Sequence, residues 1–238
     1  MRAIGFAALG VFLPLGAAHA DNLLGLGAAW TVRLDCSGGT ITRNEQDRSL
    51  TLCVPELTPA RRRCEVEIQG PDIRGQWLEA QFDVKLNEAA ARPKQPIIIF
   101  QIHSRPDPGE QWRCPIAALR ALPNNLELGG AYDFSEISRP AANGCIGPES
   151  TIKGYRAFLD KPATANTFMS LRLRYRLSLR YGDVVAFRDG KEAGEAKGPN
   201  MMNDKTKPFL KMGIYGVPSE QPGPFCSTIR NVKLDVTG

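Results

Sequence analysis

Apolar and polar residues alternate with a period of two through much of this chain. Trp77 to Leu86 places Leu78, Ala80, Phe82, Val84 and Leu86 on one side. Such alternation predicts a half-buried strand, because successive side chains on a strand point to opposite faces. The same pattern predicts strands over Trp30–Leu34, Arg61–Ile68, Asp183–Arg188, Phe209–Tyr215 and Ser227–Val236, with a further strand beginning at Cys53. The clearest case is Leu171 to Arg180. Leu171, Leu173, Tyr175, Leu177 and Leu179 face one way, and Arg172, Arg174, Arg176 and Arg180 the other. Between 96 and 104 the run Pro-Ile-Ile-Ile-Phe-Gln-Ile-His-Ser is short, apolar and β-branched, as a buried strand requires. Alternation there puts Ile98, Phe100 and Ile102 on one face and Ile99, Gln101 and His103 on the other.

The breaks between these runs are turn-rich. Pro123-Asn124-Asn125 joins Ile116–Ala121 to Leu126–Tyr132 as a hairpin, and Asp189-Gly190 predicts a tight turn back through Lys191 and Glu192. Residues 37–50 read as polar and Gly-rich, 87–95 and 104–114 as loops, and 133–153 as irregular. There is no long amphipathic helix, internal repeat or low-complexity segment. Many short strands with Gly/Pro turns predict an all-β protein, a β-sandwich or jelly roll of two antiparallel sheets.

The N-terminus alters this picture. Met1-Arg2, an apolar run from Ile4 to Ala18, and Ala18-His19-Ala20 form a signal peptide over residues 1–20, with cleavage expected before Asp21. Residues 21–238 then form a single domain, exported to the periplasm or beyond the cell. No later run is apolar enough to span a membrane. Removing the leader, with its one Arg and no acid, lowers the formal charge from +5 to +4. That mild bias suits anionic partners without indicating nucleic acid. All six cysteines lie after the leader, and an even count in an exported chain predicts three disulfides. The pairing expected is Cys53–Cys64, Cys114–Cys145 and Cys36–Cys226.

Candidate chemistry narrows quickly. There is no Walker loop, dinucleotide fingerprint, HExxH or GxSxG. His103 is the only histidine after the leader, which excludes multi-histidine metal sites. No cofactor is expected, and calcium binding is not readable. Arg63, Glu65 and Glu67 share a strand face, either solvated or, less aptly, a pair of glycosidase acids. Phe209, Lys211, Gly213 and Tyr215 share another, an unusual set for core packing. A strand glycine often marks close approach of a ligand or backbone. The arginine stripe Arg172, Arg174 and Arg176 is either a solvated outer face or the floor of an anion groove, since the guanidinium fork suits carboxylate and sulfate. Trp112, in a polar loop, either stacks on a sugar or plugs a gap.

Taken together, Arg63-Cys64-Glu65-Val66, Gln101-Ile102-His103 and Phe209-Leu210-Lys211-Met212-Gly213-Ile214-Tyr215 resemble motifs of the jelly-roll polysaccharide lyases. Family-seven alginate lyases carry Arg-x-Glu-Leu, Gln-[Ile/Val]-His and Tyr-Phe-Lys-x-Gly-x-Tyr-x-Gln in this order. The heparin lyase I group is similar over the segment from Gly182 through the Asp189-Gly190 turn to Tyr215. The resemblance covers roughly residues 60 to 236. Val217 stands where the alginate pattern ends in Gln, Val66 where it has Leu, and Glu67 where a second Arg is common.

The resemblance implies a concanavalin-like jelly roll, acting as a monomer on a uronate-containing acidic polysaccharide by β-elimination. A base removes the proton on C5, an acid protonates the leaving glycosidic oxygen, and a double bond forms. Arg63 and Gln101 would neutralise the carboxylate and hold the developing enolate. His103 or Tyr215 would be the base and Tyr215 the acid. Lys211, Arg172, Arg174, Arg176 and Trp112 would bind substrate. The competing readings are a glycan-binding module of the same fold and an exported structural domain whose polar faces are merely solvated.

Overall fold

A computed structural model describes residues 23–55, 62–159, 161–217 and 221–238. The predicted signal peptide lies outside them. Among the described residues no helix is long and apolar enough to cross a membrane.

Among the described residues, fourteen strands form two seven-stranded antiparallel sheets. The strands are β1 (Thr31–Ser37), β2 (Thr40–Asn44), β3 (Ser49–Val54), β4 (Arg62–Gln69), β5 (Trp77–Leu86), β6 (Ile97–His103) and β7 (Ala117–Ala121). They continue as β8 (Leu126–Tyr132), β9 (Lys153–Leu159), β10 (Phe168–Arg176), β11 (Gly182–Arg188), β12 (Lys191–Gly198), β13 (Phe209–Val217) and β14 (Phe225–Thr237). One short helix, α1 (Glu88–Ala91), is capped by the Asn87 side chain. The first sheet runs β1-β4-β13-β6-β7-β8-β9 and the second β12-β11-β10-β5-β14-β3-β2. This is the all-β sandwich the alternation predicts.

The sheets bury their apolar faces against each other. From β10 come Met169, Leu171, Leu173 and Tyr175; from β13 Leu210, Met212 and Ile214; from β5 Leu78, Ala80, Phe82, Val84 and Leu86. Phe82 of the second sheet stacks on Phe100 of the first at 5.6 Å between ring centroids, and Phe100 on Tyr175 at 6.4 Å. These contacts span the sandwich and set which face of each strand remains for chemistry.

Several expectations change. Residues 40–44 form β2 within the stretch read as polar and Gly-rich, and 153–159 form β9, where no strand is predicted. Both strands lack a clean apolar alternation. The central run also departs from strict period two. A register shift between Ile98 and Phe100 against β7 keeps Gln101 and His103 on one face but turns Ile98 to that face and Ile99 into the core.

Two of the three expected disulfides are exchanged. The bonds are Cys36–Cys64, Cys53–Cys226 and Cys114–Cys145. Cys36 and Cys64 are register partners on β1 and β4, and Cys53 and Cys226 on β3 and β14. The pairing expected from sequence would have joined opposite sheets. The actual bonds of these four cysteines each cross-link neighbouring strands of one sheet.

Candidate functional site

The outer face of the first sheet carries the site. On β4, Arg63, Glu65 and Glu67 point away from buried Cys64, Val66 and Ile68. On β13, Phe209, Lys211 and Tyr215 point away from Leu210, Met212 and Ile214. β13 lies between β4 and β6, so register decides what meets. Tyr215 is opposite Arg63 and Ile98, and Lys211 is opposite Glu67 and Gln101. Phe209 is opposite His103. Gly213, opposite Glu65, has φ +147°, and a Cβ there would come within 2.2 Å of the Cys64 carbonyl oxygen. The glycine is therefore needed for the close approach of β4 itself.

Arg63, Gln101, His103, Lys211, Tyr215 and Trp112 all line one cleft of about 520 Å³. Arg172, Arg174 and Arg176 do not. They lie on β10 in the second sheet, opposite its core-facing side chains, so the stripe is not part of this cleft, contrary to the expected grouping with Lys211 and Trp112. Arg172 stacks on Phe187 at 4.0 Å and Arg174 on Trp77 at 4.8 Å. Arg174 also pairs with Glu79, and Arg176 with Asp183. A period-two pattern identifies a strand's two faces but not which sheet the strand joins.

Side chains not singled out from sequence complete the cleft. Asp35 on the edge strand β1 takes Lys211 Nζ at 2.6 Å and Arg63 Nε at 3.0 Å. Arg105 pairs with Glu67 at 2.8 Å and lies over Phe209. Arg113 and Arg120 also line it, Arg113 with its side chain fully buried, so four basic side chains, Arg63, Arg105, Arg120 and Lys211, stand against two carboxylates, Asp35 and Glu67. Beside the cleft a second basin of about 450 Å³ opens over β7–β9 and shares Arg120 with it. Glu127 there holds Arg120 at 3.1 Å and Arg156 at 3.5 Å. None of these residues sits in a recognisable local motif; only Glu65 and Glu67 were visible, as part of the alternation with Arg63.

Two buried groups have strongly altered acidity. Glu65 is 1% exposed. Its Oε1 accepts from Gln101 Nε2 at 2.6 Å, while its Oε2 has no partner. Burial raises its pKa to about 7, against the opposing effects of the Gln101 hydrogen bond and Lys211. His103 stacks on Phe209 and meets the edge of exposed Trp112 at 5.3 Å. Its Nδ1 faces Ser104 O at 2.7 Å and its Nε2 faces Arg113 O at 2.9 Å. Burial lowers its pKa to about 4, outweighing the two carbonyls. The ring is therefore neutral at ordinary pH, and its one N–H serves only one of the two carbonyls.

Asp107, Glu110 and Asp204 bring carboxylate oxygens within 4.8 Å of one another, a spacing that suits a cation. The Arg113 guanidinium takes that place. It pairs with Glu110 at 2.9 Å and with Asp204. Burial pushes Glu110 upward, but N–H donation from Ser138 and Asp107 together with Arg113 hold it below the usual carboxylate range. Burial raises Asp204.

Residues 29–225 match the family model described as polysaccharide lyase. Among solved structures, the chain is similar to the endo-β-1,4-glucuronan lyase from the fungus Trichoderma reesei, with TM-score 0.66 and 16% identity over 85% of this chain and 89% of that one. It is also similar to the alginate lyase vAL-1 from Chlorella virus, with TM-score 0.61 and 11% identity over 88% and 93% of the two chains. The family 7 alginate lyase A1-II′, in complex with the substrate GGMG, gives TM-score 0.55 and 12% identity over 88% and 93%. At these identities the structures establish a shared fold. No curated protein sequence matches the chain.

Proposed function

The chain belongs to the polysaccharide lyase family, and from that premise we propose that it is exported and cleaves a uronate-containing acidic polysaccharide by β-elimination. One observation carries the reading: the register of β4, β13 and β6 gathers Arg63, Gln101, His103, Lys211 and Tyr215 around one cation-rich cleft. A polyanion is attracted to such a cleft. The uronate carboxylate is held by Arg63 and the Gln101 amide, which neutralise it and stabilise the enolate as C5 loses its proton. Asp35 already bridges Arg63 and Lys211, a pairing that marks these cations as carboxylate partners.

Tyr215 moves the proton. As phenolate it takes the C5 hydrogen, the C4–O bond breaks as the C4=C5 bond forms, and the phenol returns that proton to the leaving glycosidic oxygen. Arg63, across the register, supplies the counter-charge. His103 is not assigned the base, because both ring nitrogens already face backbone carbonyls. It stands beside Gln101 as a neutral wall of the pocket, with Trp112 as an exposed stacking surface for a sugar. Strands lie roughly 4.8 Å apart, so a polymer laid across them passes from the cleft over Arg120 into the Arg156 basin.

Incubation with alginate, glucuronan, heparin-type and chondroitin-type chains and pectate tests this, read as ultraviolet absorbance of the unsaturated uronate. Turnover on one substrate, lost in Tyr215→Phe with binding retained, is the expected result. Binding without turnover on every substrate would replace the lyase reading with a glycan-binding one.

A further inference from the structure

The loop joining β6 to β7 supplies both acceptors around the His103 ring, Ser104 O and Arg113 O. Ser104 is the next residue, so its carbonyl is placed by the strand end. Arg113 is ten residues along, and something else must bring its carbonyl back. That something is its own side chain. The guanidinium is 0% exposed, between Glu110 at 1% and Asp204 at 3%. Glu110 also accepts the N–H groups of Asp107 at 2.7 Å and Ser138 at 2.6 Å. The carbonyl oxygens of Asp204 and Lys205 accept from Arg74 at 3.0 and 3.2 Å. Cys114, the next residue, is tied to Cys145. Three loops thus converge on one arginine.

A buried ion cluster gives little net stability over apolar packing of the same volume. A loop that needed only to be closed would not require it. A guanidinium fork does fix direction, since its planar donors accept few arrangements of two carboxylates. We propose that Arg113 is a positioning residue for His103: locked between Glu110 and Asp204, it presents its own backbone carbonyl to Nε2 and so sets the orientation and tautomer of the ring. This rests on the reading of His103 as part of the active cleft. The charged groups facing the ring are Lys211 from β13 and Arg113 itself, both opposing imidazolium. Phe209 and Trp112 cover its faces and edge.

Nitrogen NMR of the imidazoles tests the assignment directly. The chain has two histidines, His19 and His103, and His103→Gln identifies the second set of signals. In the unaltered protein His103 is expected as one neutral tautomer above about pH 5. In Arg113→Met the ring is expected to mix its two neutral tautomers. Arg113→Lys, which keeps the charge but not the fork, is expected to restore part of the signature. If Arg113→Met does not fold, Glu110→Gln removes one carboxylate from the guanidinium and must move the tautomer ratio in the same direction. Unchanged His103 signals in the folded variant overturn the proposal. The NMR reading needs no substrate, so absence of lyase turnover would sink the proposed reaction and leave this test intact.

Discussion

Replacing Glu65 by Gln is expected to stabilise the protein at alkaline pH and not at acid pH. Glu65 sits under Gln101 with one oxygen bonded at 2.6 Å and the other without a partner. Ionisation leaves that second oxygen charged, buried and unsolvated, which is why its pKa rises from 4.5 to about 7. The sign follows from proton counting. Below pH 4.5 both folded and unfolded chains hold the proton, and stability is unaffected. Between 4.5 and 7 the unfolded chain releases it and the folded chain does not, so stability falls as pH rises. Above 7 the loss is complete. At 1.36 kcal/mol for each unit of pKa difference, the full loss is about 3 kcal/mol, of which about 2.5 kcal/mol falls between pH 5 and pH 8.

His103 acts in the opposite sense. Its folded value is lowered to about 4, so its contribution is complete above about 6.5 and is lost as pH falls toward 4. In the unaltered protein the two trends partly cancel, and a stability–pH curve alone would hide both. Subtracting the curve of the unaltered protein from that of Glu65→Gln removes the His103 contribution. Urea unfolding at 25 °C with the disulfides intact, at half-unit steps from pH 5 to 8, measures the difference. It is expected to climb in favour of Glu65→Gln by about 2.5 kcal/mol. A difference that stays flat across the range would overturn this account, since Lys211 and Arg63 would then be compensating the charge fully.

Three further outcomes are expected. Arg156→Ala, whose side chain is 67% exposed, should lower kcat/KM about tenfold on long uronate chains and leave the shortest cleaved oligomers unaffected; equal loss at every length would remove the basin from the polymer's path. The triple change Arg172→Ala, Arg174→Ala, Arg176→Ala should leave kcat/KM unchanged, because these residues lie on the other sheet; a large loss of turnover would return them to the site. Removing the Cys53–Cys226 bond with two Ser substitutions should cost about 2–5 kcal/mol in urea unfolding, since it closes β3 onto β14 across 173 residues of chain.

Much of the site is legible in the sequence because strand alternation forces it. Gln101 and His103 must share a face, as must Lys211 and Tyr215, and Arg63 with Glu65. The sandwich class follows from the same periodicity, with the turn residues as punctuation. What alternation does not encode is which strand neighbours which. β13 enters between β4 and β6 over separations of more than a hundred residues, and only that insertion puts Tyr215 opposite Arg63 and Lys211 opposite Gln101. The arginine stripe of β10 has as regular a pattern as any functional strand, yet it joins the other sheet. The bulge at Ile98 and the exchanged disulfides likewise depend on cross-strand partners. Asp35, Arg105 and Arg113 reach the cleft from an edge strand and a loop, where no period exists to mark them. Side-chain direction along a strand is a local property, and so the faces are written into the chain. Their assembly into one cleft, and the burial that leaves Glu65 half-satisfied and His103 neutral, arise from pairing and packing between residues far apart in sequence, which no local pattern records.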